Sequence, residues 1–302
     1  MEIVVRQISG LGNQLFQYAA GRYYAKRYGA RLGLVMDAAQ NAVSHGYPRP
    51  FLLPHFSIPI PFREVSRLDR LMFTNRAVLK QVAAVVKKTA GVRIFDEPVS
   101  RRFTFMEDLP MERGVRMAYL VGYWQTHRIV EAVAAELRNE LRFKQAATGR
   151  NLEMLKLIEG SSDAVSLHIR RGDYTLAAEG NIALPIEYYL RAIKSFRERL
   201  SKPSFFIFSD DMDFARAHLP RDLRMVFVDH NGAETSHEDL RLMSSCRHHI
   251  IANSTFSWWG AWLNGSPDKI VFAPRQWHLT PESYFPDLMP PEWTLVDSRA
   301  QR

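Results

Sequence analysis

The 302-residue chain has a single cysteine, Cys246. One cysteine excludes an intramolecular disulfide and any zinc or iron–sulfur site built on cysteine pairs. A reducing compartment suits such a chain best. It also lacks a run of 18 apolar residues. The longest candidate, MAYLVGYW at 117–124, has the length of one buried strand and its exit. The opening MEIVVRQISGLGNQLF has no basic start, apolar centre or small-residue cleavage site of the signal-peptide kind. The expectation is a soluble or peripheral protein. HExxH, GxSxG and P-loop patterns are missing, as are internal repeats and low-complexity tracts. No recognisable nucleic-acid-binding module accompanies the basic residues, so nucleic acid is not an expected partner. What is present is globular: hydrophobic residues make up 46% and charged residues 24%, enough to bury a substantial core without staples. The formal charge of +8 favours an anionic ligand or surface.

Strand-like and helical patterns alternate along the chain. Residues 3–8 form a first strand, Gly10 and Gly12 a turn, residues 13–28 a helix stopped by Gly29, and residues 31–37 a second strand. That is a right-handed crossover unit of a parallel sheet. Five prolines between 48 and 61 mark a long ordered loop or lid. Residues 63–90 read as mostly helical, 92–105 as strand, and 128–143 as one amphipathic helix. The polar stretch 144–162, holding Gly149 and Gly160, is the expected boundary between domains 1–150 and 151–302. Beyond it, strands are expected at 164–169, 205–209, 224–228, 248–252 and, as the last, 269–274. Pro185 should open one helix, and Ser236 with Asp239 should form a capping box on another. The fold class that follows is α/β, with two open parallel sheets.

Four segments carry chemistry. GLGNQL at 10–15 follows a strand and opens a helix, as a dinucleotide fingerprint would, with Asp37 ending the next strand. Leu15 stands where the third glycine should be, which counts against NAD(P). The turn still suits close approach of an anion or a sugar, or is structural. HIRRGDY at 168–174 puts His168, Arg170, Arg171 and Asp173 at the carboxyl edge of a strand. Arginine there fits phosphate oxygens, or the group is a surface ion-pair cluster. Alternation sends His168 and Arg170 to one side and Arg171 to the other. FSDDMDF at 208–214 places Asp210 and Asp211 after the next strand, for a divalent cation or for a nucleoside contact and a helix cap. NSTFSWWGAWL at 253–263 offers Ser254, Thr255 and Ser257 at a helix start, a phosphate cradle. Its tryptophans read chiefly as core. His248 and His249 face opposite ways within a strand, so they do not share a metal.

Together, GLGNQLFQYAAGRYYA, HIRRGDY, FSDDMDFA and ANSTFSWWGAWL closely resemble the family 11 glycosyltransferases, the α-1,2-fucosyltransferases, in family order and over nearly the whole chain. The resemblance implies a GT-B-type α/β fold, two Rossmann-like domains facing a central cleft. The N-terminal domain would supply mainly the acceptor side and the C-terminal domain would bind GDP-fucose. It further implies that Arg170 contacts the donor diphosphate, with His168 as companion and Arg171 beside it. Asp173 would be structural or a base. Asp210 and Asp211 would lie near the nucleoside, Glu238 and Asp239 near guanine, Ser254, Thr255 and Ser257 along the phosphates, and Gly12, Asn13 and Gln14 at the cleft. The implied reaction transfers L-fucose with inversion from GDP-β-L-fucose to the 2-hydroxyl of a galactoside. The acceptor would be an oligosaccharide or a lipid-linked glycan. Asp173 is the first candidate base and His168 the second. No cofactor or metal is expected, because the arginines can carry the diphosphate charge. The expected location is cytoplasmic, with peripheral contact at the inner face of the membrane. Another GDP-sugar donor such as GDP-mannose, a non-catalytic nucleotide- or carbohydrate-binding protein, and an NAD(P) enzyme are the competing readings.

Overall fold

The structure, a computed structural model, describes residues 1–36, 43–44, 47–73, 85, 87–98, 103–176, 183–278 and 285–298. Asp37 and the arginine pair at 101–102 lie outside the described residues, as does the side chain of Asp173. The chain divides into two compact units. The first comprises Met1–Ser44, Pro48–Lys144 and Pro286–Leu288, and the second His45–Tyr47, Gln145–Phe285 and Met289–Arg302.

In the first unit β1 (Glu2–Gln7) leads through the glycine turn into α1 (Leu11–Arg27) and back to β2 (Arg31–Met36). Among the described residues, short strands β3 (Val43–Ser44) and β4 (Tyr47–Pro48) pair with each other alone. β5 (Phe62–Glu64), β6 (Val92–Asp96) and β7 (Met117–Val121) complete a sheet of order β5-β2-β1-β7-β6, parallel throughout. Gly29 stops α1 with φ 56°: its N–H bonds Lys26 O, and the Ala30 N–H bonds Ala25 O. This pair of bonds satisfies the last carbonyls and needs a left-handed residue, which glycine supplies without strain. α1 is buried nearly all round, with Leu15, Phe16, Gln17, Tyr18, Ala19 and Tyr24 inside. Gly21 permits this, because a Cβ there would sit 2.5 Å from Val5 and 2.8 Å from Leu32.

Two local expectations are corrected in this unit. The region 63–90 starts with a strand, β5, before α2 (Arg67–Met72). The helix expected over 128–143 is two, α3 (His127–Ala132) and α4 (Ala134–Glu140). They break at Val133, which leaves helical geometry at φ −127° and buries its β-branched side chain.

The second unit begins with α5 (Gly149–Glu159) and β8 (Asp163–Ile169). There follow α6 (Ile186–Arg199), β9 (Pro203–Ser209), α7 (Met212–His218), β10 (Met225–Phe227), α8 (Ser236–Ser245), β11 (His248–Ile250), α9 (Thr255–Leu263), β12 (Val271–Pro274) and β13 (Thr294–Val296). Pro185 stands at the N-cap of α6. The sheet is again parallel, in the order β10-β9-β8-β11-β12-β13. Both faces are covered. Val165, Leu167 and Ile169 of β8 pack with Tyr188, Ile193 and Phe196 of α6, while Ala164, Phe206 and Phe208 pack with Leu242 and Met243 of α8. Each such large side chain contributes about 1.5–3 kcal/mol when fully buried. Strands enclosed on both faces read as continuous apolar runs, which is why β8 and β9 were plain in the sequence. β13 was not expected, and 269–274 does not hold the last strand. The Ser236–Asp239 capping box does not form either. A tight turn at Ala233–Thr235 makes Ser236 already helical. Its hydroxyl bonds Ala233 O, and Asp239 turns to Asn231.

Candidate active site at the carboxyl edge of the second sheet

The strand order fixes where a ligand would sit. β9 and β10 lie on one side of β8, and β11, β12 and β13 on the other, so the direction of winding reverses between β8 and β11. In open α/β sheets the crevice outside the carboxyl ends of two such strands is the binding position. The chain leaves β8 through Arg170–Tyr174 and β11 through Ile251–Thr255. The Tyr174 hydroxyl donates to Asn253 O at 3.2 Å and joins the two exits.

Arg170 and Arg171 are both ion-paired at this edge. Arg170 Nη1 lies 2.7 Å from Asp210 Oδ2, with the two side chains only 16% and 19% exposed. Its guanidinium also stands over the Tyr174 ring, 5.4 Å from the centroid. Arg171 points elsewhere, as alternation requires: its Nε donates to Asp211 Oδ2 at 3.0 Å, and it stacks on Phe214 at 3.6 Å. Asp210 accepts the Arg171 backbone N–H at 2.8 Å. Asp211 caps α7 by accepting the Phe214 N–H at 3.0 Å. That bond, with the Arg171 charge, holds its carboxyl below the usual range. An open hollow of about 390 Å³ lies here, lined by Gly172, Thr175, Asp210, Asp211, Met212 and Asp213. The two carboxylates are therefore occupied by guanidinium groups and a helix cap. Among the described residues no three His, Cys, Asp or Glu side chains gather into a set able to hold a metal ion.

His168 is buried, its ring centroid 5.8 Å from that of Phe256. Burial, aided by the Arg170 charge, lowers its pKa to about 3. It is a neutral imidazole at physiological pH and ill suited to take up a proton, which weakens its candidacy as the base. Its buried Nδ1 makes no hydrogen bond among the described residues.

α9 starts directly at the switch point. Ser254 is its N-cap and makes no capping bond through its side chain. Thr255 is the first helical residue. The first-turn N–H groups of a helix, with its dipole, favour an anion. Ser257 is different: its hydroxyl accepts the Ala252 N–H at 3.2 Å and donates to Ser254 O at 3.3 Å, and the residue is buried. It shapes the turn and is not presented to a ligand. Trp258, Trp259 and Trp262 are core.

Glu238 and Asp239 occupy the first turn of α8, beyond β10. β10 is two strands from β8, about 10 Å across the sheet. Glu238 is gripped by Arg241 at 2.8 and 3.2 Å. Asp239 accepts from Asn231 Nδ2 at 2.7 Å. Its pKa is pushed up to about 7 by burial and the Glu238 charge, against the pull of that hydrogen bond. Asn231 also exchanges hydrogen bonds with Asn151, which bonds His230.

Gly12, Asn13 and Gln14 belong to the first unit, in the opening turn of α1. Gln14 is wholly occupied by structure: it donates to Ser9 O and Pro50 O and accepts the Leu52 N–H. Gly12 is buried. Asn13 is partly exposed and bonds Ser9 and Gln125. Tyr174, Asn231 and Gln125 were not singled out in the sequence. Tyr174 closes the HIRRGDY segment and could have been found there. The other two are lone polar residues with no local pattern.

A family model described as Glycosyl transferase family 11 matches residues 107–297. The chain is 30% identical to an alpha-1,2-colitosyltransferase of Escherichia coli, over 98% of this chain and 99% of the relative. It is 26% identical to the galactoside alpha-(1,2)-fucosyltransferase 2 of Mus musculus, over 89% of this chain and 70% of the relative. Among solved structures, the NodZ alpha-1,6-fucosyltransferase of Bradyrhizobium, soaked with GDP-fucose, superposes with a TM-score of 0.50 at 19% identity, covering 90% of this chain and 94% of the other. That likeness is one of fold: GT-B-type, with two Rossmann-like units.

Proposed function

The chain belongs to glycosyl transferase family 11 and is a glycosyltransferase, and from that premise we propose that it transfers L-fucose from GDP-β-L-fucose to the 2-hydroxyl of a galactoside with inversion. The donor sits at the switch point of the second sheet. One observation carries this reading: Arg170, anchored by Asp210 at 2.7 Å, stands at the exit of β8 beside the strand exit that opens α9, and Tyr174 ties those two exits together. A guanidinium and a helix N-terminus at one edge are suited to a diphosphate. The nucleoside extends toward Asn231, Glu238 and Asp239, about 10 Å away across two strands.

In the reaction the bond between the anomeric carbon and the GDP oxygen breaks as a bond to the acceptor oxygen forms on the opposite face. The electron pair leaves with GDP, and the acceptor proton passes to Asp173 or to water. Negative charge grows on the departing diphosphate. Arg170 and the α9 N–H groups stabilise it, and His168 engages the donor as a neutral hydrogen-bonding group. Asp210 and Asp211 are neutralised by guanidinium groups and offer a poor seat for a divalent cation, so turnover proceeds without one. The acceptor is a galactose-containing oligosaccharide or lipid-linked glycan, met in the cytoplasm or at the membrane surface. No helix among the described residues is long and apolar enough to cross a membrane.

A second donor is favoured by one observation, the E. coli relative named for colitose, a sugar that is L-fucose without its 3-hydroxyl. Purified protein is incubated with GDP-L-fucose, GDP-colitose or GDP-mannose and a panel of β-galactosides, and linkage is read by NMR. An α-1,2-fucosylated galactoside is expected. A product only from GDP-colitose would replace the donor, and product from neither deoxysugar would overturn the reading.

A further inference from the structure

α9 is fastened at the end away from the ligand edge. It runs nine residues from Thr255 to Leu263, about 13 Å along its axis. The crossover from β11 to its parallel neighbour β12 carries it back toward the amino edge of the sheet, and polar side chains gather at its C-terminus. Lys269, two residues before β12, donates from Nζ to Ala261 O at 2.8 Å, to Asn264 O at 2.9 Å and to Trp262 O at 3.5 Å. These are carbonyls of the kind a helix end leaves without partners. An ammonium among them also offsets the negative pole of the helix.

Asn264, the C-cap and itself buried, shares its Nδ2 hydrogens among Cys246 O at 2.8 Å, Arg247 O at 3.0 Å and His249 Nε2 at 2.8 Å. Its Oδ1 accepts the Ser266 N–H at 2.8 Å. Those partners settle which way the amide points. His249 Nε2 therefore accepts, and the ring proton lies on Nδ1, where it donates to Ser166 Oγ at 2.7 Å. Burial, then the Lys269 charge, keeps this imidazole neutral. Ser166, His249 and Asn264 thus tie the end of α9 to β8 and β11, the two strands of the switch point. One side of the helix lies hard against α8, since a Cβ on Gly260 would stand 3.0 Å from Met243 Cβ. At the opposite end Phe256 packs against His168, whose buried Nδ1 has no partner among the described residues. The helix is held in one axial position, and Lys269 supplies a charge to that mounting.

We infer that Lys269 is a positioning residue for the donor. It grips α9 by its last carbonyls and sets a positive charge behind the helix, and so aims and strengthens the N–H groups offered to the diphosphate. This rests on the donor reading, and names a residue at the far end of the helix from the nucleotide. A unit charge about 13 Å from one phosphate charge alters its binding roughly 8-fold at an effective dielectric of about 20. The test uses the full chain with three substitutions. Lys269→Met keeps the stem without the charge, Lys269→Gln keeps a donor without the charge should the first fail to fold, and Lys269→Arg keeps the charge. Affinities for GDP, GMP and guanosine are measured by calorimetry, together with kcat, acceptor KM and thermal melts. Lys269→Met and Lys269→Gln should weaken GDP roughly 3- to 10-fold. They should also lower kcat, because charge grows on the departing diphosphate, while guanosine affinity and acceptor KM hold. Lys269→Arg should recover most of the GDP affinity. Unchanged GDP affinity in a folded charge-free variant, an equal loss of guanosine affinity, or a Lys269→Arg protein as weak as Lys269→Met would overturn the proposal and leave the donor reading standing. If neither charge-free variant folds, the lysine serves stability and the proposal falls. A wild-type chain that binds GDP no more tightly than guanosine would overturn the donor reading itself, and the proposal with it.

Discussion

Arg170 and Asp210 form a pair whose coupling can be measured. Arg170→Ala removes the charge assigned to the leaving diphosphate and leaves the Asp210 carboxylate, 19% exposed, unpaired in front of it. Loss of one charge-stabilising donor costs about 3–4 kcal/mol, or roughly 100- to 1000-fold in kcat. Asp210→Asn keeps the shape but loses the charge-assisted bond that anchors the guanidinium, and weakens the bond from the Arg171 N–H at 2.8 Å. A hydrogen bond to a charged group is worth about 1.5–3 kcal/mol, so kcat should fall roughly 10- to 100-fold. Both substitutions break the same contact. The double variant should therefore cost less than the sum of the two by about 1.5–3 kcal/mol, the range for residues in direct contact being roughly 0.5–3. The assay is steady-state release of GDP with saturating donor and acceptor, alongside thermal melts of all four proteins. Strictly additive effects, or an Arg170→Ala protein keeping more than about a tenth of wild-type kcat, would refute the reasoning.

Other consequences are open to simpler measurement. Gly21→Ala should destabilise the first unit by about 1–3 kcal/mol through overpacking, since the new methyl would meet Val5 and Leu32 at 2.5 and 2.8 Å; an unchanged urea midpoint would contradict it. Asp239 titrates near pH 7 in the fold and near 3.9 in an unfolded chain. Its contribution to stability is therefore complete below about pH 4 and is lost as pH rises to about 7. Between pH 5 and 8 the melting temperature of wild type should fall more than that of Asp239→Asn, and parallel curves would count against the raised pKa. EDTA should leave initial rates nearly unchanged, whereas a large loss restored by Mg or Mn would contradict metal-independent turnover.

Elements enclosed on both sides were the most legible in the sequence. β8 and β9 are uninterrupted apolar runs, and α1 is framed by Gly10 at its start and Gly29 at its end. The three-residue edge strands β5 and β13 were missed, because each carries too few residues for a period and follows a proline-rich stretch. In the sequence Val133 is one more apolar residue in a helical stripe, and only its tertiary burial reveals the break. The same limit applies to the site. HIRRGDY and FSDDMDF stood out separately, but that Arg170 belongs to Asp210 and Arg171 to Asp211 depends on β8 and β9 being neighbours, a long-range fact. Ser257 and Gln14 carry the right residue types for ligand contact, yet both are consumed by backbone groups that local pattern does not disclose. Gln125 has no motif, and its hydrogen bond to Asn13, more than a hundred positions away in the chain, is visible only in the fold.

The most direct measurement is a crystal structure of the protein with GDP. The account predicts the diphosphate outside the ends of β8 and β11, with the Arg170 guanidinium and the first-turn N–H groups of α9 at about 3 Å from its oxygens. Nucleotide bound elsewhere, with Arg170 still engaged only by Asp210, would contradict it.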